Sequence, residues 1–348
     1  MPKRTVGLLC LIACLVAGAP SKAKGWRVFE TFEEYASVFR TQCPAPFGKL
    51  RKPETREVVG VKYRLEGTKL VQLTRDKDRV TRVGVISAPK DGTTMTQTNI
   101  EAFIKAFTAR KIDWLVANGD LAYDEKDLTR TIDLLATVKV PVFAVIGNGE
   151  SVAPFNDGLA RAMQEHDNVF NMNLVRVVVG DDLSLISLPG YYDRAYVHPP
   201  DGCVYKEEDV QLLKELARGV RGPLALVSHG PPRGEGQEAI DVIYERRNVG
   251  DPRMAAALKE LKISFGLFGH ILEAGGRATD DVGNPLKPGH LSKSLLANAG
   301  SASAIPWRML DGKTSRGLAM IITVQGDQAS YEVLTPGTAD AITRGGAR

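Results

Sequence analysis

From about residue 80 onward the chain alternates short, fully apolar runs with stretches of helical periodicity, and that alternation restricts it to a layered α/β fold. The runs are Val83–Ser87, Trp114–Ala117, Val142–Ile146, Leu174–Val179, Leu183–Leu188, Leu224–Ser228 and Phe265–Phe268, rich in β-branched and aromatic residues. They are too short for helices and too uniformly apolar for strands with one wet face, so they read as strands covered on both sides. Apolar residues recur at helical spacing over Thr98–Arg110, Lys126–Val138, Glu207–Arg218 and Pro252–Leu261. Strand patterns return at Ser294–Ala297, Gly317–Val324 and Ala329–Leu334, after which residues 336–348, rich in Gly, Thr and Arg, read as a flexible tail. A length of 348 residues with 43% apolar and 25% charged side chains suits one large domain with an extension, and excludes disorder as the default.

Residues 25–79 have a different texture. An amphipathic stretch around Phe29–Phe39 is followed by a Pro-containing loop, and then Val58–Leu65 and Lys69–Leu73 flank Glu66-Gly67-Thr68 as the arms of a hairpin. This segment is expected to be an N-terminal extension that covers a sheet edge, in preference to a docking module. Further upstream, Lys3 and Arg4 precede the apolar run Val6–Gly18, which is too short to span a bilayer and reads as an export signal within residues 1–19. Ala17-Gly18-Ala19 suits an ordinary signal peptidase, whereas Leu11-Ile12-Ala13-Cys14 resembles a lipobox that would end the signal at residue 13 and put a lipid on Cys14. The expected location is therefore outside the cytoplasm, in the periplasm or anchored to the envelope. Cys43 and Cys203 are then the thiols of the folded part, and an oxidising compartment permits either a bridge between them or two separate buried thiols.

Formal charge is +4, but Lys3, Arg4, Lys22 and Lys24 fall in the first residues, so the remainder is nearly balanced and has no basic stripe. A nucleic-acid partner is not expected. Contact with a membrane is expected only through a lipid on Cys14.

Polar residues gather just past the carboxyl ends of the predicted strands, where open α/β sheets place their sites. The sequences there are Ile86-Ser87-Ala88-Pro89-Lys90-Asp91-Gly92, Asn118-Gly119-Asp120, Gly147-Asn148-Gly149-Glu150, Ser228-His229-Gly230-Pro231-Pro232 and Gly269-His270-Ile271-Leu272-Glu273. Singly each is more often a turn or a cap than a ligand. Together they follow buried strands, mostly with glycine beside the polar residue, and supply a carboxylate, an amide oxygen and two imidazoles, a fitting donor set for a divalent first-row metal.

The series resembles the calcineurin-like metallophosphoesterases, whose pattern runs D-x-H, G-D, G-N-H-E, a late S-H and G-H-x-H. The resemblance covers residues 80–335 and includes the flanks Asn248-Val249-Gly250-Asp251-Pro252-Arg253-Met254 and Asn298-Ala299-Gly300-Ser301. It implies a two-sheet αββα sandwich and hydrolysis of phosphomonoesters or diesters with two adjacent metals. By position, Asp120 corresponds to the aspartate that bridges both ions, and Asn148, His229 and His270 to the remaining ligands of the second. The private ligands of the first ion fall on Ala88, Lys90 and Leu272, and the histidine of G-N-H-E falls on Gly149. The resemblance thus implies one divalent ion (Mn, Zn or Fe) on Asp120, Asn148, His229 and His270.

Lys90 and Arg194 are the candidates to replace the missing positive charge, each against the alternative of a solvated side chain. Glu150 and Glu273 are candidates to brace the loops. Tyr123 occupies the position of the tyrosine ligand of purple acid phosphatases and is read as packing. His198 lies on the aromatic loop Tyr191–His198 and is placed at the pocket's border, while His166 and His290 read as exposed. Two functions are compatible with this pattern: a phosphoester hydrolase with weak or altered turnover, or an inactive relative that binds a phosphorylated small molecule or protein at the envelope. A site that takes no metal is the third outcome.

Overall fold

The computed structural model describes residues 26–75 and 78–345, so the export segment with Cys10 and Cys14 lies outside the described residues. The N-terminal part forms β1 (Arg27–Phe29), α1 (Phe32–Val38), β2 (Gly48–Val58), β3 (Val61–Gly67) and β4 (Lys69–Gln72). The regular part begins with β5 (Val80–Ile86), α2 (Thr94–Ala109), β6 (Trp114–Asn118), α3 (Glu125–Ala136), β7 (Val142–Val145), α4 (Val152–Glu165), β8 (Val169–Asn171), β9 (Val177–Val179) and β10 (Ser184–Leu188). It continues with α5 (Glu207–Gln211), α6 (Leu213–Ala217), β11 (Leu224–Ser228), α7 (Pro252–Leu261), β12 (Phe265–Phe268), β13 (Arg277–Thr279) and β14 (Leu295–Asn298). A small ribbon, β15 (Trp307–Arg308) with β16 (Thr314–Ser315), precedes β17 (Ala319–Gln325), β18 (Gln328–Leu334) and α8 (Pro336–Gly345).

Two sheets face one another, a six-stranded one in the order β18-β17-β5-β6-β7-β8 and a ten-stranded one in the order β1-β2-β3-β4-β9-β10-β11-β12-β14-β13. The period of two along each strand divides its side chains between two cores. Leu185 of β10, Ala225 and Val227 of β11, and Phe265 and Leu267 of β12 enter the large core between the sheets. Ile186, Leu188, Leu226 and Phe268 on the opposite faces meet Leu213, Leu216, Met254 and Leu258 from α6 and α7. Burial on both faces is why these runs are continuously apolar. Strands β5 to β8 pair in parallel, as do β10, β11, β12 and β14, so their carboxyl ends collect the loops that carry the site.

Helix α7 begins and ends where the sequence places it. Asp251 accepts the Arg253 amide at 2.8 Å, Pro252 occupies the first turn, and Lys262 leaves the helix at φ 53°. Elsewhere packing overrides local pattern. Helix α4 was not expected, because Pro154 and Gly158 interrupt its apolar stripe; Pro154 falls in the first turn, where no amide is needed, and a Cβ on Gly158 would come 3.0 Å from Leu128 of α3. The expected helix Glu207–Arg218 is broken at Leu212 into α5 and α6. The expected flexible tail is instead helical over Pro336–Gly345: Thr335 and Thr338 cap one another's amides at 2.8 and 3.2 Å, and Ala339 is fully buried.

The N-terminal extension is continuous with the large sheet, since β4 pairs in parallel with β9 through Lys69↔Val177 to Val71↔Val179. Its hairpin is β3–β4, and β2 lies where the sequence suggests a loop. That strand carries alternating charges on an open face, and its register shifts between Lys49 and Glu54, so Pro53 sits in the irregularity rather than in a regular ladder. Cys43 and Cys203 are bridged, with Cα atoms 5.3 Å apart, which fastens the extension to the loop that follows β10.

Candidate metal centre

The strand-end loops are held in conformations that unconstrained residues avoid. Ala88, Lys90, Asp120 and His270 have φ values of 47°, 67°, 53° and 63°, each a non-glycine residue in the left-handed region. Such backbones persist where the surroundings over-determine them, and they cluster at functional sites. Here the loops determine one another: the Ala88 amide donates to the Gly119 carbonyl at 2.9 Å, the Lys90 amide to the Asp120 carbonyl at 3.0 Å, and the Gly269 amide to the His229 carbonyl at 2.9 Å. Gly119 has φ 72°, and a Cβ there would collide with the His229 ring, so this turn requires glycine twice over.

Glu150 ties two of the loops from beneath. Its buried carboxylate accepts from the amides of Asp120 at 3.2 Å, of Gly147 at 2.9 Å, and of Leu121. Burial, followed by the neighbouring Asp120 charge, pushes its pKa up to about 7, against the opposing pull of the amides. Glu150→Ala would leave these three amides without their acceptor, and is expected to lower unfolding free energy by about 3 kcal/mol in urea titrations.

Short contacts link the four expected ligands in series. Asn148 Oδ1 lies 2.9 Å from His229 Nε2 and 2.9 Å from His270 Nδ1, and His229 Nε2 lies 3.4 Å from Asp120 Oδ1. The orientation of each donor atom is set from behind. The Asn148 amide nitrogen donates to the Tyr196 carbonyl at 2.7 Å, which turns the amide oxygen toward the imidazoles. His229 Nδ1 faces the Asn118 carbonyl at 2.9 Å; a carbonyl only accepts, so Nδ1 carries the proton and Nε2 is the nitrogen presented to the cluster. Tyr191, itself buried, covers His270 with ring centroids 4.1 Å apart.

A carboxylate, an amide oxygen and two imidazole nitrogens brought this close form a donor set that suits a cation. Burial pulls the Asp120 carboxyl up, but His229, Lys90 and His270 together bring it well below the usual carboxylate range. Burial lowers His229, and the Asp120 charge and hydrogen bond outweigh it, so the net shift is upward; His270, half-buried, is pushed down to about 3 by desolvation and then by the neighbouring His229. The donor set Asp120, Asn148, His229 and His270 therefore fits one divalent first-row ion.

The neighbouring position is lined differently. Ala88 and Leu272 are buried and apolar there, and the Lys90 ammonium stands 3.6 Å from Asp120 Oδ2. Fixed positive charge beside that oxygen opposes another cation. Gly149 leaves no side chain where the G-N-H-E pattern has histidine; a Cβ there would meet Asp120 Oδ1 and Tyr123 Cε1, both at 3.0 Å.

The remaining candidates separate. Arg194 is exposed and its guanidinium donates to the Pro199 carbonyl at 3.0 Å, bracing its own loop. Tyr123 is 55% exposed and stacks on His198 with centroids 6.4 Å apart, and the His198 amide donates to the Asn148 carbonyl at 2.9 Å, so both residues border the cluster. Glu273 accepts the Tyr244 amide at 3.3 Å and so steadies a different loop. His166 is paired with Asp133 at 2.9 Å rather than fully exposed, whereas His290 is exposed. Sequence reasoning missed Tyr191 as the ring over His270, and it missed Ser301, whose hydroxyl donates to the Ala88 carbonyl at 2.7 Å. The only signal for either was its place in the aromatic loop or in Asn298-Ala299-Gly300-Ser301.

The family described as calcineurin-like phosphoesterase matches residues 96–274. Among solved structures, one crystal structure superposes with a TM-score of 0.55 at 14% identity, over 74% of this chain and 99% of that one. A protein of Thermus thermophilus reaches 0.51 at 14% identity over the same shares, 74% and 99%. A dimetal phosphatase from Danio rerio reaches 0.45 at 12% identity, over 73% of this chain and 98% of its own. Identities this low establish the shared fold alone. No curated protein sequence matches this chain.

Proposed function

Because this chain belongs to the calcineurin-like phosphoesterase family, a metal-dependent one, we propose that it is a phosphoester hydrolase that works with a single divalent ion and turns over slowly. The observation that carries this reading is the run of short contacts that links Asp120 to His229, His229 to Asn148 and Asn148 to His270, beside a position that Ala88, Leu272 and Lys90 make unfavourable for a second cation. When bound, the ion would act as a Lewis acid on a phosphoryl oxygen. Asp120, Asn148, His229 and His270 would hold it, Lys90 adds a fixed positive charge 3.6 Å from Asp120 Oδ2, and the Tyr191 ring covers His270. No imidazole stands at Gly149 to protonate a leaving group, and a missing positioned acid costs about two to four orders of magnitude. Activated leaving groups, which need little protonation, are therefore the favoured substrates.

Gly149 also supports a second reading, in which the fold and the ion are kept to bind a phosphorylated ligand without turnover. One preparation separates the two. Purified protein loaded with Mn, Zn or Fe is assayed for metal content and for hydrolysis of mono- and diester reporters, beside His229→Ala. Turnover that vanishes in the variant supports the hydrolase; metal without turnover supports the binding protein; a chain that takes up no ion refutes both.

Lys90→Met tests the fixed charge. Loss of one oriented cationic donor at a phosphoryl group is expected to lower kcat by about a hundredfold while metal content stays at the wild-type level. Unchanged kcat would show that Lys90 only balances the Asp120 charge and does not act on the phosphoryl group.

Placement outside the cytoplasm belongs to the same proposal. It is supported by the Cys43–Cys203 bridge, since such bonds persist in oxidising compartments, and by the basic-then-apolar start of the sequence. Mass spectrometry of the N-terminal peptide from native cells is expected to show a start within or just after the apolar segment, and tells a lipidated Cys14 from a cut near Ala19.

A further inference from the structure

A cleft of about 740 Å³ opens beside the metal cluster, between the loop after His229 and the loop that carries Tyr191 to His198. Its walls include Tyr192, Tyr196, Arg233, Arg246 and Arg247. Two links join it to the cluster. The Tyr196 carbonyl holds the Asn148 amide at 2.7 Å, and Tyr192 adjoins Tyr191, whose ring covers His270 at 4.1 Å.

The walls are built before any ligand arrives. Tyr192 donates its hydroxyl to the Val249 carbonyl at 2.8 Å, and Arg233 Nε donates to the Gly250 carbonyl at 2.9 Å. Arginine is in excess, with Arg233, Arg246 and Arg247 facing two acids, Asp193 and Glu235. No ion pair among the described residues engages Arg233, Arg246 or Arg247. Of these acids, Asp193 also accepts the Ala195 amide at 2.9 Å. Arg246 and Arg247 are exposed, and Tyr196 is 54% exposed with its ring edge-on to Tyr191. Guanidinium groups recognise phosphate-like oxyanions through paired N–H donors, and tyrosine rings present flat apolar faces to planar groups.

We propose that this cleft receives the leaving-group side of a phosphoester carrying a second anion and a planar ring, the chemistry of a nucleotide. Arg246 and Arg247 bind the second anion, and Tyr196 lies against the ring. The inference rests on the phosphoester reading of the adjoining cluster, which would hold the first phosphoryl group.

Calorimetry on the Mn-loaded protein tests it with three probes: inorganic phosphate, pyrophosphate and α,β-methylene-ADP. The expected order of affinity is methylene-ADP above pyrophosphate above phosphate, with methylene-ADP at least about tenfold tighter than phosphate. Arg246→Ala with Arg247→Ala is expected to remove about tenfold or more of that ratio, and Tyr196→Ala to close the gap between methylene-ADP and pyrophosphate. The proposal is overturned by methylene-ADP binding no tighter than phosphate, by pyrophosphate equalling methylene-ADP, or by ratios that the substitutions leave unchanged. Failure here remains distinct from failure of the hydrolase: ratios that respond to the arginines with no reporter turnover keep the cleft and discard the hydrolase, and reporter turnover with unresponsive ratios does the reverse.

Discussion

His229→Ala is expected to empty the metal centre and to lower turnover by more than about a hundredfold in the same protein preparation. His229 is fully buried and meets three of the groups that define the site, Asp120 at 3.4 Å, Asn148 at 2.9 Å and the Asn118 carbonyl at 2.9 Å. Alanine removes one of the four donors and leaves the Asp120 carboxylate buried without the imidazole that faces it. Substitution of groups that merely orient a ligand costs about 10–100-fold in affinity, so removal of a ligand itself should exceed that range. Elemental analysis, reporter hydrolysis and a melting curve, measured together, separate loss of the ion from loss of the fold. A folded variant that still carries a full complement of metal would refute the assignment of the centre.

The second large effect is expected from removing the Cys43–Cys203 bridge. The two cysteines are 160 residues apart in sequence, so the bond closes a long loop in the unfolded chain. Loop entropy alone gives about 5 kcal/mol for a loop of that length, and measured losses usually fall at about 2–5 kcal/mol. Cys43→Ser with Cys203→Ser should therefore lower unfolding free energy by several kcal/mol in urea titrations. The consequence should also reach the site. The Cys203 carbonyl accepts the Tyr191 amide at 3.0 Å, and Tyr191 begins the loop whose Tyr196 carbonyl orients Asn148. Weaker metal retention is expected to accompany the lost stability, and hydrogen exchange should rise first in β1 to β4 and in residues 191–205. Exchange confined to the extension would separate the bridge from the site.

The candidate site was more legible in the sequence than the boundaries of the elements that carry it. Asp120, Asn148, His229 and His270 stand next to glycines at the ends of apolar runs, and a buried parallel strand must deliver whatever follows it to the carboxyl edge of its sheet. The absence of ligands at Ala88 and Leu272 was equally legible, because an apolar side chain cannot become a donor in any fold. Helices fared less well. Pro154 and Gly158 hid α4, since local pattern does not report that a proline falls in a first turn or that a glycine makes room for Leu128. The helix at 336–345 was read as a tail because Gly and Thr are poor helix formers, although capping and contact with α2 outweigh that preference.

What the amino-acid order determined by itself was therefore chemistry and layer: which residues are donors, which strands are covered on both faces, and that Lys90 and Gly149 replace groups the family's pattern would supply. Tertiary structure alone decided distance. Whether Cys43 meets Cys203, whether Lys90 turns toward Asp120 or toward water, and whether three arginines line one cleft depend on bringing segments far apart in sequence to within a few ångströms. No local rule encodes such meetings, because they follow from the packing of the whole core rather than from the preferences of any one stretch of chain.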